Sequence, residues 1–430
     1  MKSWYYYNKI CLFAFSSQYI ININVKFLKG NKTYLIVLGC LMTFVQPIYS
    51  QTVIEKNGLE YVITTGVPFM RIATDARSAG MAEVGVSTSA DNNSGFHNPA
   101  KFAFIENDKG VSVNFAPWLR QITNDIYLIN ANANYKINAN QTAAAGIRYF
   151  TLGQINYRGI NNEDLGQAKP FEMTAEGHYA IRLAEPLSLG ISGRFILSDL
   201  TNGATQNSPK IPVGTAFSVD FSAFYTKRLE LQNFQEARLN FGVNISNIGS
   251  KIQYNSTTPD YIPANLAIGA TFEGKLDDYN SFSGTLQFDK LLVPSPTYFT
   301  NNQGKLQFVD KNGNGEPDFK EYSSIAGVLT SFGDHGDGIG GELREFIVHL
   351  GAEYAYQKTF FVRAGYFYEP ESAGGRNFVT AGAGFKYNAM KLDFSYLLPV
   401  SQQRSPLDNQ MRVSISFNVG EEKSKDGGYW

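Results

Sequence analysis

Much of the chain beyond residue 110 alternates between apolar and polar positions. In Leu187 to Phe195 the apolar Leu187, Leu189, Ile191 and Phe195 take alternate positions, and Ser188, Gly190, Ser192 and Arg194 lie between them. The same period sets Phe217, Val219, Phe221 and Tyr225 against Ser218, Asp220 and Ser222, and Leu392, Phe394 and Tyr396 against Asp393 and Ser395. It recurs in Met411, Val413, Ile415, Phe417 and Val419 against Arg412, Ser414, Ser416 and Asn418. Successive side chains of an extended strand point to opposite faces, so each segment predicts a strand with one apolar and one polar face. Fourteen are expected, near 110–117, 124–137, 142–157, 171–184, 187–199, 213–226, 237–250, 264–275, 281–291, 345–357, 359–369, 377–388, 390–398 and 410–419. Such strands suit a soluble sandwich with the apolar face inward, or an outer-membrane barrel with that face toward lipid.

Strand length and connection length favour the barrel. Several segments exceed the roughly five or six residues of ordinary strands and reach the roughly 9 to 11 that cross a bilayer at a tilt. Connections after even-numbered strands are short, as in Ala184-Glu185-Pro186, Gln357-Lys358 and Asn388-Ala389. Those after odd-numbered strands are long, as in Arg158 to Pro170, Asp199 to Pro212, Lys251 to Pro263, Leu292 to Arg344 and Pro399 to Asn409. An even strand count with short turns on one side and long loops on the other is the bacterial outer-membrane pattern, with both barrel ends at the periplasm. Lipid offers no hydrogen-bond partners, so a sheet persists there only when closed on itself. Alternation puts Arg194, Asp220, Glu353, Arg363, Asp393 and Arg412 on the inner face, which suits a plugged polar lumen. Tyr354, Tyr356, Tyr366, Phe367 and Tyr368 are expected in interfacial girdles. The predicted fold is all-β: a 14-stranded transmembrane outer-membrane β-barrel over 105–420, in contact with outer-membrane lipid, with a long external loop at 292–344 and a periplasmic tail at 421–430.

Composition agrees with that solvent. Of 430 residues 17% are charged, well below the roughly 25% of soluble domains, and 14% are aromatic. With 37 basic and 38 acidic side chains, scattered along the chain, there is no electrostatic footprint for phosphates and no nucleic-acid partner is expected. Residues 1–50 form a leader. Lys29 and Lys32, the apolar run Tyr34 to Val45, and Pro47-Ile48-Tyr49-Ser50 have the order of a secretory signal, and residues 1–24 have the texture of an over-extended gene start. Both cysteines, Cys11 and Cys40, lie in it. After it no run of 18 apolar residues occurs, so no transmembrane helix is expected.

Residues 51–104 have a different texture and are expected to form an N-terminal plug. They contain Pro68-Phe69-Met70-Arg71-Ile72-Ala73, the run Asp75 to Gly80, Gly85-Val86-Ser87-Thr88 and Asn98-Pro99-Ala100-Lys101. With Asn247-Ile248-Gly249 and Gly340-Gly341-Glu342-Leu343 further on, this arrangement resembles the FadL-like outer-membrane family, and within it the PorV family of the type IX secretion system. The resemblance runs from Gln51 to Gly420. It implies a FadL-like barrel that is not an enzyme. It also implies three partners: the translocon barrel protein, the C-terminal β-domains of secreted cargo, and a surface attachment complex with a sortase-like protease. Cargo contact would fall on external loops, chiefly Ser323 to Arg344 with its tip Gly336, Gly338, Gly340, Gly341 and Glu342, and on the loops at 118–123, 370–376 and 399–409.

Taken by themselves, the residues leave choices open. Asn98, Pro99 and Ala100 suit a tight turn or a ligand contact in the plug, and Asp75 and Arg77 a luminal pair or solvated plug surface. His97, His178, His335 and His349 are widely separated, and no G-x-S-x-G elbow occurs, so no catalytic constellation emerges. Residues Asp310 to Glu321 match the calcium-loop pattern D-x-[DN]-x-[DN]-G-x5-E. In that reading Asp310, Asn312, Asn314, the Glu316 carbonyl, Asp318 and a bidentate Glu321 enclose one Ca²⁺; in the other they form a polar surface loop. A FadL-like transporter of small hydrophobic molecules and a purely adhesive surface protein remain the alternative functions.

Overall fold

The computed structural model describes residues 63–158, 160–204, 210–254, 259–296, 298–300, 306–335, 338–370, 374–400 and 410–420. The predicted leader, residues 51–62 of the predicted plug, the tail 421–430 and Gly336 lie outside them.

Fourteen antiparallel strands close into one barrel, each paired with its neighbour in sequence and the last with the first. They are β1 (Lys109–Pro117), β2 (Ile126–Asn138), β3 (Gln141–Leu152), β4 (Phe171–Ala184), β5 (Leu187–Asp199), β6 (Gly214–Leu229) and β7 (Glu236–Gly249). There follow β8 (Asn265–Lys275), β9 (Asn280–Leu291), β10 (Ile347–Tyr356), β11 (Phe360–Tyr368), β12 (Asn377–Tyr387), β13 (Met390–Pro399) and β14 (Met411–Val419). The seam pairs Lys109 with Val419 and Phe115 with Val413. Val111, Val113, Ile191, Phe217, Phe221 and Phe394 are exposed on the outside, while Asn114, Arg194, Asp220, Arg363 and Arg412 are buried inside. This is a core turned inside out, which is stable only when lipid covers the apolar face.

Two expectations need correction. Strand β3 stops at Leu152, five residues short of the expected end. Gly153 turns the chain at φ +76°, and Ile155–Arg158 pairs with Asp164–Ala168 as a separate hairpin beyond the barrel. Phe367 is no girdle residue: it faces inward, 1% exposed, stacked on Phe378 with ring centroids 4.3 Å apart. Tyr354, Tyr356 and Tyr368 are exposed on the outside.

The segment preceding β1 lies within the barrel. Its elements are short: a 3-10 turn at Pro68–Arg71, α1 (Ala76–Ala79), α2 (Ser94–His97) and a 3-10 turn at Pro99–Phe104. It starts near the long loops, where the Gly66 amide donates to the Tyr261 carbonyl at 2.9 Å, and ends at Lys109 on the short-turn side. Two apolar layers hold its ends against the wall. Val67, Phe69 and Met70 pack on Leu128, Phe150, Ile196 and Ile262 near the external rim, and Phe102 to Ile105 pack on Ala180 and Phe224 near the other. Wall glycines admit this close fit. A Cβ at Gly242 would fall 2.0 Å from the Val86 carbonyl oxygen, and one at Gly190 2.4 Å from the Ala100 nitrogen.

Candidate functional site

Between the two apolar layers the luminal segment is fastened to the wall by charge. Arg77 of α1 donates to Asp91 at 2.9 Å and to Glu353 of β10 at 3.3 Å. Glu353 also accepts from Arg363 at 2.6 Å, and Arg363 donates to Asp393 at 2.7 Å. Arg412 of β14 reaches Glu83 at 2.6 Å. On the opposite wall Arg194 joins Asp220 at 2.6 Å and Glu176 at 3.1 Å. The six inner-face residues named from alternation are therefore all in luminal ion pairs. A buried ion left without its partner is strongly unfavourable, so the network specifies one seating of the plug.

Asp75 and Arg77 neither pair with each other nor face solvent. Asp75 caps α1, accepting from the Ser78 amide at 2.8 Å and the Ser78 hydroxyl at 2.7 Å, and lies 2.7 Å from His97 Nε2. Burial works to raise the Asp75 pKa, but the His97 charge, its hydrogen bond and the Ser78 donors together hold it below the usual carboxylate range. Asn98 is fully buried. Its Oδ1 caps the next turn by accepting from the Ala100 amide at 3.0 Å, and its Nδ2 donates to the Val86 and Ala223 carbonyls at 2.8 and 3.0 Å. Pro99 opens that 3-10 turn, and Ala100 is held on both sides by wall serines, Ser222 at 3.0 Å and Ser188 at 2.7 Å. The Asn-Pro-Ala motif is thus a turn that also rivets the plug to β5 and β6.

The long external connection is tied down at a buried cation. Lys290, 1% exposed at the end of β9, donates to Glu342 at 2.9 Å and also pairs with Glu345, whose other oxygen accepts from the Ser295 hydroxyl at 3.0 Å. Of the residues expected to touch cargo, Glu342 is therefore internal, and Gly341 is packed so that a Cβ would meet the His335 ring. Gly338, at φ +64°, starts the helix α4 (Ile339–Leu343), and Gly340 faces open space. What the loop does present is apolar. Ile325 and Leu329, on α3 (Ser324–Thr330), are 67% and 69% exposed, and Phe332, Ile339 and Leu343 are exposed nearby in the chain. All five lie in the expected cargo loop Ser323 to Arg344, but sequence reading put the contact on its glycine tip instead, although the spacing Ile325, Leu329, Phe332 is a one-sided helical stripe.

In the Asp310 to Glu321 loop, Asn312 Nδ2 donates to both Glu321 oxygens at 2.8 and 2.9 Å, and Asn314 donates to the same carboxylate. Asp310 accepts from the Gly313 and Gly315 amides at 2.6 and 2.8 Å, and Asp318 from the Lys311 amide at 2.9 Å. The loop gathers Asn312, Asn314 and Glu321. Among the described residues no three acidic, histidine or cysteine side chains form a metal-holding group, so Asp310, Asp318 and Glu321 are not brought together.

Residues 55–298, more than half of the chain, match the family described as Type IX secretion system protein PorV. No curated protein matches the sequence. Among solved structures the toluene transporter TbuX of Ralstonia pickettii is similar at 13% identity, over 81% of this chain and 98% of that one, with a TM-score of 0.46. The toluene transporter TodX of Pseudomonas putida is similar at 11% identity, over 79% and 95%, with a TM-score of 0.45. A Pseudomonas aeruginosa FadL homologue is similar at 12% identity, over 85% and 100%, with a TM-score of 0.39.

Proposed function

The chain belongs to the PorV family of type IX secretion system proteins, and from that premise we propose that it receives the C-terminal β-domain of secreted cargo at the outer membrane. In this reading it takes cargo from the translocon barrel and passes it to the surface attachment complex with its sortase-like protease. The observation that carries the reading is the set of exposed apolar side chains Ile325, Leu329, Phe332, Ile339 and Leu343, presented by a loop whose base is fixed at Lys290. Large apolar side chains held on a stable base outside the lipid band are the usual chemistry of a partner-binding surface.

The alternative, transport of small hydrophobic molecules, has less support. Near both rims the luminal segment packs apolar side chains on the wall, and the space left between plug and wall is lined by charged groups such as Arg77, Glu273, Glu353, Lys391 and Asp393 rather than by a greasy pocket. Strand pairing also continues around the whole circumference.

Replacing Ile325, Leu329, Ile339 and Leu343 by serine tests the proposal. The barrel is expected to keep its heat-modifiable migration while cargo accumulates in the periplasm. Normal secretion by this variant, or by a strain lacking the whole gene, would refute the role.

A further inference from the structure

The lumen holds a second feature, apart from the exposed apolar side chains of the long loop. Beside the plug, below the external rim, lies a cavity of about 70 Å³ lined by Arg71, Arg194, Arg376, Glu83 and Asp289 together with neutral amides. Most of its charges are already matched. Arg376 grips Glu369 through two hydrogen bonds at 2.6 and 3.0 Å, Arg194 is shared by Asp220 and Glu176, and Glu83 is taken by Arg412. Asp289 accepts from Gln287 at 2.9 Å and lies 3.6 Å from His349 Nε2.

Arg71 is the exception: among the described residues it makes no hydrogen bond and no ion pair. Burial, and after it the neighbouring Arg376, act against its charge, while Glu369, Asp289 and Glu83 at longer range partly offset them. A guanidinium keeps that charge regardless, and without a direct partner among the described residues its N–H groups are left to water or to an incoming anion.

We propose that this cavity is a binding site for a single carboxylate, with Arg71 as its principal ligand. Size and charge select that class. The volume holds a few waters, or one carboxylate with a water. The planar fork of a guanidinium matches two carboxylate oxygens. Glu83 of the plug and Asp289 of the wall, which also line the cavity, repel a dianion more strongly than a monoanion, which disfavours sulfate and phosphate. Arg71 and Arg376 both retain partial exposure, so the anion enters from the external side. It comes either from a free small carboxylate or from the terminal carboxylate of a polypeptide.

The test is calorimetry on the full chain purified in detergent, which reads binding whether or not the chain handles cargo. Acetate, sulfate, and a short alanine peptide with a free or an amidated C-terminus are the probes. Acetate is expected to bind saturably and more tightly than sulfate, and to lose at least tenfold in affinity in Arg71→Gln. Arg71→Lys, which keeps the charge but not the fork, should fall between the two and covers the case in which Arg71→Gln does not fold. Binding of the free-acid peptide but not its amide assigns the site to a chain terminus; binding of acetate alone assigns it to a free carboxylate. No saturable acetate binding, equal affinity in wild type and in a folded Arg71 variant, or a preference for sulfate would each overturn the proposal.

Discussion

Arg77 and Glu353 are 276 residues apart in the chain and meet at 3.3 Å, one on the plug and one on the wall. Through them Asp91, Arg363 and Asp393 join one charge network. Burial alone would lower the Arg77 pKa, yet Glu353 and Asp91 raise it above the ordinary arginine value, so the cation is never given up. Arg77→Met would leave Asp91 and Glu353 short of a partner inside the barrel, at a cost of about 3–5 kcal/mol. The urea midpoint of the detergent-purified variant should fall, and the barrel should pass more ion current in planar bilayers than the wild type. An unchanged midpoint with unchanged ion current would show that the pair is dispensable.

Asn98 offers a test of the turn. Asn98→Asp keeps the cap on Ala100 but replaces the Nδ2 amide, which donates twice, by one carboxylate oxygen facing the Val86 and Ala223 carbonyls. Asn98→Ala loses the cap and the donors but adds no charge. Each orphaned buried group costs roughly 1–3 kcal/mol, and more when an ion is introduced. The expected order of thermal stability is therefore wild type, then Asn98→Ala, then Asn98→Asp, read from the temperature at which the heat-modifiable band shifts on a gel. Equal shifts for all three would deny the motif its riveting role.

Calcium at the Asp310 to Glu321 loop remains a proposal. Turning the Asn312 and Asn314 amides would exchange their N–H donors to Glu321 for carbonyl oxygens, but Asp310 and Asp318 must also leave backbone amides. Protease cleavage within this loop should rise on adding a chelator and fall on restoring Ca²⁺. Cleavage indifferent to the chelator, with no ion detected by calorimetry, would leave an Asx-rich loop and nothing more.

The barrel was legible because period two is a property of single strands and survives without long-range information. Which strand contains a break was less so, since Gly153 gives only a local hint that β3 ends there. Inner-face charges such as Glu353 and Arg412 followed from alternation, but their partners on the plug, Arg77 and Glu83, did not, because that segment has no period to read. The ridge at Ile325 and Leu329 was obscured by a helix of seven residues inside a loop. Glu342, placed in sequence beside an exposed tip, proved internal because Lys290, 52 residues earlier, draws it in.

Lys101 carries the clearest prediction on pH. It is 1% exposed, and its ammonium donates to the Gly85 carbonyl at 2.8 Å and the Thr88 hydroxyl at 3.1 Å, with no carboxylate in ion-pair contact among the described residues. Burial lowers its pKa from 10.5 to about 8. At pH 7 the folded protein therefore holds a buried cation with neutral partners only. As pH rises from about 8 to 10.5, the folded state has released that proton while the unfolded chain still binds it, so this residue's contribution to stability increases with pH. The full change is roughly 3 kcal/mol. Lys101→Met removes the titration and the buried charge together. It strands little, because the Thr88 hydroxyl already donates to the Gly85 carbonyl at 3.2 Å. The variant is expected to exceed the wild type in urea midpoint at pH 7, and the advantage should shrink steadily between pH 8 and 10.5. An advantage that stays constant across that window would mean that Lys101 is not the titrating group, and a variant weaker at pH 7 would mean that its two hydrogen bonds outweigh the cost of burying the ammonium.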